Sequence, residues 1–466
     1  MLSAISVSDR EQMQKIQKQF DAIVVGLGIT GMSLIRHLSN KVTRLAVVDT
    51  RNDPPQLETL MKEFPTIPFI SGEFDQDLLC ASQTLYISPG VPLSLPAIRA
   101  AIDSGVAISG DIELFLNQVQ APVIAVTGSN GKSTVVKLVT EMITASGKKA
   151  LLGGNYGVSA LELLEANIPD FYVLELSSFQ LESLKNVNVA ISTILNISED
   201  HMDRYYDFHE YVNAKKKIFM GDGIKVINLD DPTVTNLVSV DDNVIGFNHQ
   251  SPDEGSFGVC EIGDIEWICF GKQRLMKVSE LQITGRHNLT NSLASLALGH
   301  AIGLDADSMA NSLKQFKGLP HRCEMVLELN NVVWINDSKG TNPGATCAAV
   351  QGLAEGEDIV LIAGGDAKGA DLSSLGEAMK GRVHSAILIG KDARIVEQAI
   401  SSLCKIYHAT SLEGAVHTAH QLARTGDKVL LSPACSSLDM FKNYVERGER
   451  FSSIVRQLAA NRGSEQ

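Results

Sequence analysis

Pro122-Val-Ile-Ala-Val-Thr-Gly-Ser-Asn-Gly-Lys-Ser-Thr134 is an apolar, β-branched run that passes through two glycines into a helix-forming stretch. A short apolar run closed by a glycine turn reads as a buried strand, and a buried strand feeding a helix is the repeating unit of parallel α/β sheets. The N–H groups of such a loop and the N-terminus of the helix form an anion nest. Lys132 adds a point charge for outer phosphates, and Ser133 or Thr134 a hydroxyl for Mg²⁺. Val126 stands where the full phosphate-loop pattern has its first glycine, leaving the shortened form Gly128-x-x-Gly131-Lys132-Ser133. Glycines that merely let strand and helix pack closely are the plain alternative. Gly-Lys-Ser at the switch favours ATP or a related nucleotide.

The same alternation extends to both sides. Upstream, 21–26, 45–49 and 84–88 are short β-branched runs, with segments of helical length such as 33–40 between them. Downstream, 123–126, 172–175, 190–195 and 225–228 continue the pattern; 240–282, with its short runs and Gly, Asp and Asn turns, reads as a small antiparallel patch, and a helix starts near Gly285. A third array covers 332–336, 359–363, 386–390 and 428–432. Breaks at 118–122 and 318–320 divide the chain into a lead-in over 1–20 and domains over 21–119, 120–319 and 320–466. The expected fold class is α/β: three consecutive Rossmann-like, doubly wound domains, the central one a phosphate-loop ATPase domain. Ligands of such sheets lie at the carboxyl ends of the strands.

A chain of 466 residues exceeds what one core supports. Its formal net charge of −14 argues against a general nucleic-acid partner, and no apolar run is long enough to span a bilayer. Anionic substrates must therefore be held by local cations and helix N-termini. The polar first twenty residues, with Asp9, Arg10 and Glu11, do not read as a signal peptide. The seven cysteines include no C-x-x-C pair, as expected of reduced thiols in a cytoplasmic protein.

Other polar groups fall at strand ends. Gly26-Leu-Gly-Ile-Thr-Gly31 matches G-x-G-x-x-G, with Asp49 ending the next strand. The motif specifies a diphosphate joined to a sugar, which NAD and a UDP-sugar share. Asn155 lies in the glycine-rich stretch 153–157, and its residues alone do not decide between a loop turn and a ligand contact. Glu175 ends an apolar strand, where a carboxylate is costly unless paired or metal-bound. In a phosphate-loop domain that position commonly holds Mg²⁺; a helix cap is the alternative. Asp200, His201 and Asp203 cluster after another strand, as a metal or phosphate contact. Within Tyr211-Val-Asn-Ala-Lys-Lys-Lys-Ile218, helical spacing turns Lys215 inward, although an ammonium, having no lone pair, ligates no metal. In the third domain, loops 336–342, 363–370 and 432–441 gather Asp337, Lys339, Thr341, Lys368 and serines, a set suited to a small dicarboxylate.

The succession GLGITG, TGSNGKST, GGNYG, LELSSFQL, NISEDHMDR, YVNAKKKI, GRHN, HRCE, NDSKGTN, GGDAKGAD and SPACSSLDMFKNYVERG resembles the Mur ligases of bacterial cell-wall synthesis over nearly the whole chain after residue 20. The loops NDSKGTN and SPACSSLDMF look most like the members that add D-glutamate to UDP-N-acetylmuramoyl-L-alanine. The resemblance implies that Ile29, Thr30, Asp49, Thr50, Arg51, Ser88 and Gly90 bind the UDP portion, and that Asn155 and His201 hold the muramoyl side. It implies that Gly128, Ser129, Asn130, Gly131, Lys132, Ser133 and Thr134 bind ATP phosphates, that Asn288 and Arg322 also contact ATP, and that Asp337 lies near its ribose. Ser133 and Glu175 are implied to hold one Mg²⁺ and His201 a second. Lys215 is implied to carry a CO₂-derived carbamate that helps hold the second ion. Lys339, Thr341, Lys368, Ser437, Leu438 and Phe441 are implied to bind D-glutamate.

The implied reaction is amide formation through an acyl phosphate, with Lys132, His201 and Lys215 as the candidate catalytic groups and domain closure about 118–122 and 318–320. A monomer is expected. Other amino-acid ligases of this type, a nicotinamide-dependent oxidoreductase built on the Gly26–Gly31 motif, and a nucleotide-gated binding protein are the alternatives.

Overall fold

The computed structural model describes residues 20–463, so the lead-in over 1–20 lies, except for Phe20, outside the described residues. Among the described residues, twenty strands form three sheets. The first contains β1 (Ala22–Val25), β2 (Leu45–Asp49), β3 (Phe69–Ser71), β4 (Thr84–Ile87) and β5 (Ala107–Ser109) in the order β3-β2-β1-β4-β5, all parallel. β1 and β2 are buried throughout, as the continuous apolar runs require of strands covered on both faces.

The central sheet contains β6 (Val123–Thr127), β7 (Ala150–Gly154), β8 (Phe171–Glu175), β9 (Ile191–Ile194), β10 (Ile224–Asn228), β11 (Val244–Phe247), β12 (Phe257–Ile262), β13 (Ile265–Phe270) and β14 (Gln273–Lys277). Its order is β14-β13-β12-β11-β10-β9-β6-β8-β7. The antiparallel patch expected over 240–282 forms one edge of this sheet. β11 pairs in parallel with β10 and with β12, and only the pairs β12–β13 and β13–β14 are antiparallel, extending the same sheet. Phe247 and Phe257 are buried partners at the join, and burying both rings favours one continuous sheet.

The third sheet, β15 (Glu324–Leu329), β16 (Val332–Asn336), β17 (Ile359–Gly364), β18 (Val383–Ile389), β19 (Lys405–His408) and β20 (Lys428–Leu431), has the order β15-β16-β20-β17-β18-β19. Only the edge pair β15–β16 is antiparallel.

The helix expected over 33–40 spans Ile29–Leu38, starting directly after Gly28. Gly31 lets it pack onto β1: a Cβ there would fall 2.0 Å from the Gly26 carbonyl oxygen. Leu27, Met32, Ile35 and Phe115 of the first unit share one core with Leu161, Tyr172 and Leu181 of the central unit, and the Phe115 and Tyr172 rings meet edge-on at 5.1 Å. The third sheet is packed by clusters of its own, drawn from residues beyond Cys323. The first two units are joined by apolar packing, whereas the third meets the central unit through polar groups.

Candidate active site

β6 delivers the chain to Gly128 (φ 153°) and Gly131 (φ 87°), and the helix Lys132–Ala145 begins there. A Cβ at Gly131 would meet Asn291 Oδ1 at 2.2 Å, so the turn needs glycine for both space and backbone angle. Lys132 Nζ donates to the carbonyls of Gly128 (2.8 Å) and Ser129 (3.0 Å). Burial pushes its ammonium below the ordinary lysine range, against the pull of Glu175 and Asp200.

Glu175, buried at the end of β8, accepts from Ser133 Oγ at 2.5 Å and from Asn155 Nδ2 at 2.6 Å. Asn155 N also donates to the Glu175 carbonyl at 2.8 Å, because β7 lies beside β8. Asn155, undecided from sequence, thus belongs to this cluster. Arg322 Nη2 donates to Ser133 Oγ at 2.7 Å across 189 residues. Asn288, on the helix Arg286–Ala301, accepts from Asn291 at 3.3 Å, and Asn291 stands against Gly131.

Lys215 turns inward, as its spacing predicts, and is fully buried. Its Nζ donates to the Gly128 carbonyl at 2.9 Å and lies 4.7 Å from the Tyr211 ring centroid. Burial, reinforced by Lys132, lowers its affinity for a proton far below that of an ordinary lysine. Tyr211 in turn hydrogen-bonds Ser129 at 2.9 Å. His201 adopts φ 59°, packs against Phe179 with ring centroids 4.7 Å apart, and is held toward its neutral form by burial. Its neighbour Asp200 accepts from Asn342 of the third unit at 3.1 Å, while Asp203 is exposed.

The loop after β16 meets this cluster. Asn342 Nδ2 also donates to Asn130 Oδ1 at 3.2 Å. Lys339 lies 4.3 Å from the Tyr444 ring centroid; burial, aided by Arg322 and Lys132, pushes its pKa down to about 8. Lys368 (φ 51°) is close enough to lower the proton affinity of His201, and Thr341 is half-buried beside it in sequence to Asn342. Ser437 is buried and Leu438 exposed, whereas Phe441 packs into the core beneath the loop, with Arg450 5.6 Å from its ring centroid. Both carboxylate oxygens of Asp337 are engaged, by Ser432 Oγ at 2.7 Å and Cys323 N at 3.2 Å, and burial raises its pKa to about 6. These donors fix Asp337 within its loop, and each of its oxygens keeps a lone pair for a further donor.

In the first unit, Asp49 accepts from Leu27 N at 2.7 Å, Arg51 N at 2.9 Å, and Arg51 Nη2 at 2.7 Å. Burial alone opposes ionisation, but these donors hold its carboxyl below the usual range. Asp49 therefore braces the glycine loop, and the exposed Arg51 carries its charge outward. Ser88 Oγ donates to the Gly26 carbonyl at 2.8 Å. Ile29, Thr50 and Gly90 are exposed and Thr30 half-exposed, around the carboxyl ends of β1, β2 and β4.

Four residues absent from the sequence-based candidates hold these loops. Asn291 limits the turn at Gly131, Asn342 joins the third unit to the central one, and Arg204 joins the central unit to the first. Arg447, fully buried, donates from Nε to Ser338 Oγ at 3.0 Å and from Nη2 to the Ser338 carbonyl at 2.9 Å and the Cys435 carbonyl at 3.3 Å. A buried guanidinium facing only neutral acceptors is costly, and burial pushes its pKa down to about 10. Asn342, Arg204 and Arg447 lie within the quoted motifs NDSKGTN, NISEDHMDR and SPACSSLDMFKNYVERG, and Asn291 follows GRHN by three residues, the signal available for them.

Ser133 Oγ and the Glu175 carboxylate offer hard oxygen donors. Among the described residues there is no cluster of three or more His, Cys, Asp or Glu side chains suited to a metal. Such a sparse set fits Mg²⁺, which keeps waters and substrate phosphates in its shell. Among the described residues, no helix is long and apolar enough to cross a membrane.

Three family models match in succession: the MurD-like N-terminal domain of Mur ligases over residues 20–110, the Mur ligase middle domain over 126–299, and the Mur ligase glutamate ligase domain over 321–435. The UDP-N-acetylmuramoylalanine–D-glutamate ligase of Pseudomonas aeruginosa is 46% identical over 449 residues, covering 96% of this chain and 100% of that protein. The ligase of the same name from Nitrosococcus oceani is 45% identical, covering 94% and 96% of the two chains. Among solved structures, MurF from Acinetobacter baumannii superposes with a TM-score of 0.60 at 16% identity, covering 94% and 92% of the two chains. The UDP-N-acetylmuramate-alanine ligase MurC from Thermotoga maritima does so with a TM-score of 0.57 at 19% identity, covering 94% and 100%. These two likenesses concern the fold.

Proposed function

The chain belongs to the Mur ligases, and from that premise we propose that it is the ATP-dependent ligase joining D-glutamate to UDP-N-acetylmuramoyl-L-alanine, a step of peptidoglycan precursor synthesis. One observation carries the assignment of chemistry to residues. Arg322 and Asn342, from the unit that bears Lys339 and Thr341, hydrogen-bond Ser133 and Asn130 of the phosphate loop. Loops for nucleotide and amino acid are thereby brought together, as transfer between them requires.

The L-alanyl carboxylate attacks the γ-phosphorus of ATP, releasing ADP and forming an acyl phosphate. The neutral amine of D-glutamate then attacks the acyl carbon, and phosphate leaves. Bringing a carboxylate to a polyanion costs several kcal/mol at intermediate dielectric, on the order of 4 kcal/mol for one pair of charges at contact. Lys132, donating to the loop carbonyls, is poised to turn to the phosphates and offset this repulsion. Arg322 adds a second cation at Ser133. Ser133 and Glu175 would hold one Mg²⁺ and His201 a second, ions that neutralise phosphate charge when bound. Lys339, Thr341, Lys368, Ser437, Leu438 and Phe441 would bind the dicarboxylate, the Phe441 ring also supporting their loop from below. Ile29, Thr30, Thr50, Arg51, Ser88 and Gly90 would hold the UDP portion, braced by Asp49, and Asn155 the muramoyl side.

Lys215 enters as a carbamate. Its burial favours the neutral amine, whose lone pair can attack CO₂ with loss of one proton. The product is a carboxylate, which can assist a cation where an ammonium cannot.

One chain supplies all three sets of loops, so a monomer suffices. Closure is assigned to the linker around Gly318 (φ 90°), His321 (φ 64°) and Cys323 (φ 48°). The shared apolar core makes movement about 118–122 the costlier alternative.

The decisive experiment measures phosphate release with Mg²⁺, ATP and UDP-N-acetylmuramoyl-L-alanine. D-Glutamate should stimulate it, and L-lysine, diaminopimelate and L-alanine should not. Equal stimulation by another amino acid, or none by D-glutamate, overturns the assignment.

A further inference from the structure

Arg204, three residues after His201, has no part in the chemistry above. Its side chain is nearly buried, and its Nη1 donates to the Pro89 carbonyl at 2.9 Å. Nη2 donates to the Val91 carbonyl at 3.2 Å, so both acceptors lie in the turn after β4 of the first unit. Nη2 also donates to Glu182 Oε2 of the central unit at 2.7 Å. The guanidinium lies 4.3 Å from the Phe179 ring centroid, and the Phe179 ring is itself the one packed against His201 at 4.7 Å. One planar fork thus joins the turn that carries Ser88 and Gly90 to the loop that carries His201.

The turn does not depend on Arg204 for its own shape. Ser88 N donates to the Val25 carbonyl at 2.9 Å, Ser88 Oγ to the Gly26 carbonyl at 2.8 Å, and Val91 N to the Ser88 carbonyl at 2.9 Å, all within the first unit. What Arg204 adds is the placement of that turn relative to the central unit.

We propose that Arg204 is a positioning residue that sets the span between the diphosphate end and the reacting carboxylate end of the muramoyl substrate. This rests on the function proposed above. Only a ligand that touches both units feels the span; UDP alone and ATP alone do not. An ammonium cannot replace the fork, because it lacks the planar set of donors that serves two carbonyls and a carboxylate while stacking on a ring.

The test compares the full-length protein with Arg204→Lys and with the double variant Arg204→Met, Glu182→Gln. The second partner change is needed because Glu182 is mostly buried and its Oε1 already lacks a hydrogen-bond partner. Turnover of the unsubstituted chain is read first, so failure of the proposed function appears there as absence of turnover. Given turnover, both variants should lose about 10²-fold in kcat/KM for UDP-N-acetylmuramoyl-L-alanine, the order expected of a misplacement near 1 Å. Dissociation constants for UDP and for ATP, by calorimetry, should stay within about twofold of the unsubstituted chain, well below the effect on the spanning substrate. An unchanged kcat/KM overturns the proposal. So does a parallel loss of UDP or ATP affinity, which makes Arg204 a local support of one unit's fold.

Discussion

The loops Gly26–Gly31 and Gly128–Ser133 are written in nearly the same local language: a buried parallel strand, a glycine turn with positive φ, and a helix. Their surroundings make them different devices. Beside the first, the buried carboxylate of Asp49 is already engaged by Arg51 and the Leu27 N–H. Around the second lie two lysines of lowered proton affinity and a carboxylate shared by a serine and an asparagine. The first loop can only hold a ligand. The second has charges that can be redistributed during a reaction, which is what phosphoryl transfer requires.

Breaking this contrast begins with Lys132→Ala. The variant should lose about 10²–10³-fold in kcat for ADP release, the usual loss for one preorganised group at a transition state. UDP-substrate affinity, measured by calorimetry, should be unaffected. Activity near that of the unsubstituted chain would erase the distinction between the loops.

Gly131→Ala should destabilise the fold by about 1–3 kcal/mol, because an alanine must take φ 87° and crowd Asn291 Oδ1. The readout is the shift of the thermal midpoint, with loss of ATP binding alongside.

Lys339 extends the comparison to the third unit. Its pKa of about 8 means that its charge is present below that pH and is lost as pH rises through it. The dissociation constant for D-glutamate should therefore rise by up to about tenfold per pH unit above that point, one proton being linked to binding. Lys339→Arg, charged throughout, should flatten the dependence; a profile with no inflection in the parent chain would place the charge elsewhere.

The smallest effect is expected at Gly28→Ala. A Cβ there meets nothing within 4 Å, and the backbone is extended at φ −97°. Stability should change by no more than about 0.5 kcal/mol, as at other uncrowded sites. A large shift in the melting curve would mean that the first loop is as tightly constrained as the second.

Much of the architecture was legible because it is encoded locally. Strand, turn and helix follow from short-range sterics and apolar periodicity, so the three arrays, the glycine loops and the inward face of Lys215 could all be read along the chain. The extent of the central sheet could not: β12 joins it beside β11, where Phe247 and Phe257 are buried side by side, a contact invisible to periodicity. Phe441 reads as a loop residue among ligand-binding neighbours, and that its ring packs beneath them is visible only in the fold, where an aromatic side chain gains more from the core than from water. Asp337 shares a loop with Lys339, and that Ser432 and Cys323 fix its carboxylate is visible only in the fold.

By itself the amino-acid order determined which chemistry-bearing groups exist and that most of them lie at the carboxyl ends of strands. Tertiary structure alone decided who meets whom: Arg322 with Ser133, Asn342 with Asn130 and Asp200, Arg204 with the turn after β4. The reason is physical. Local conformation is set by a residue's neighbours in sequence, whereas the charge, burial and proton affinity of a group are set by its neighbours in space, and here those come from separate folding units.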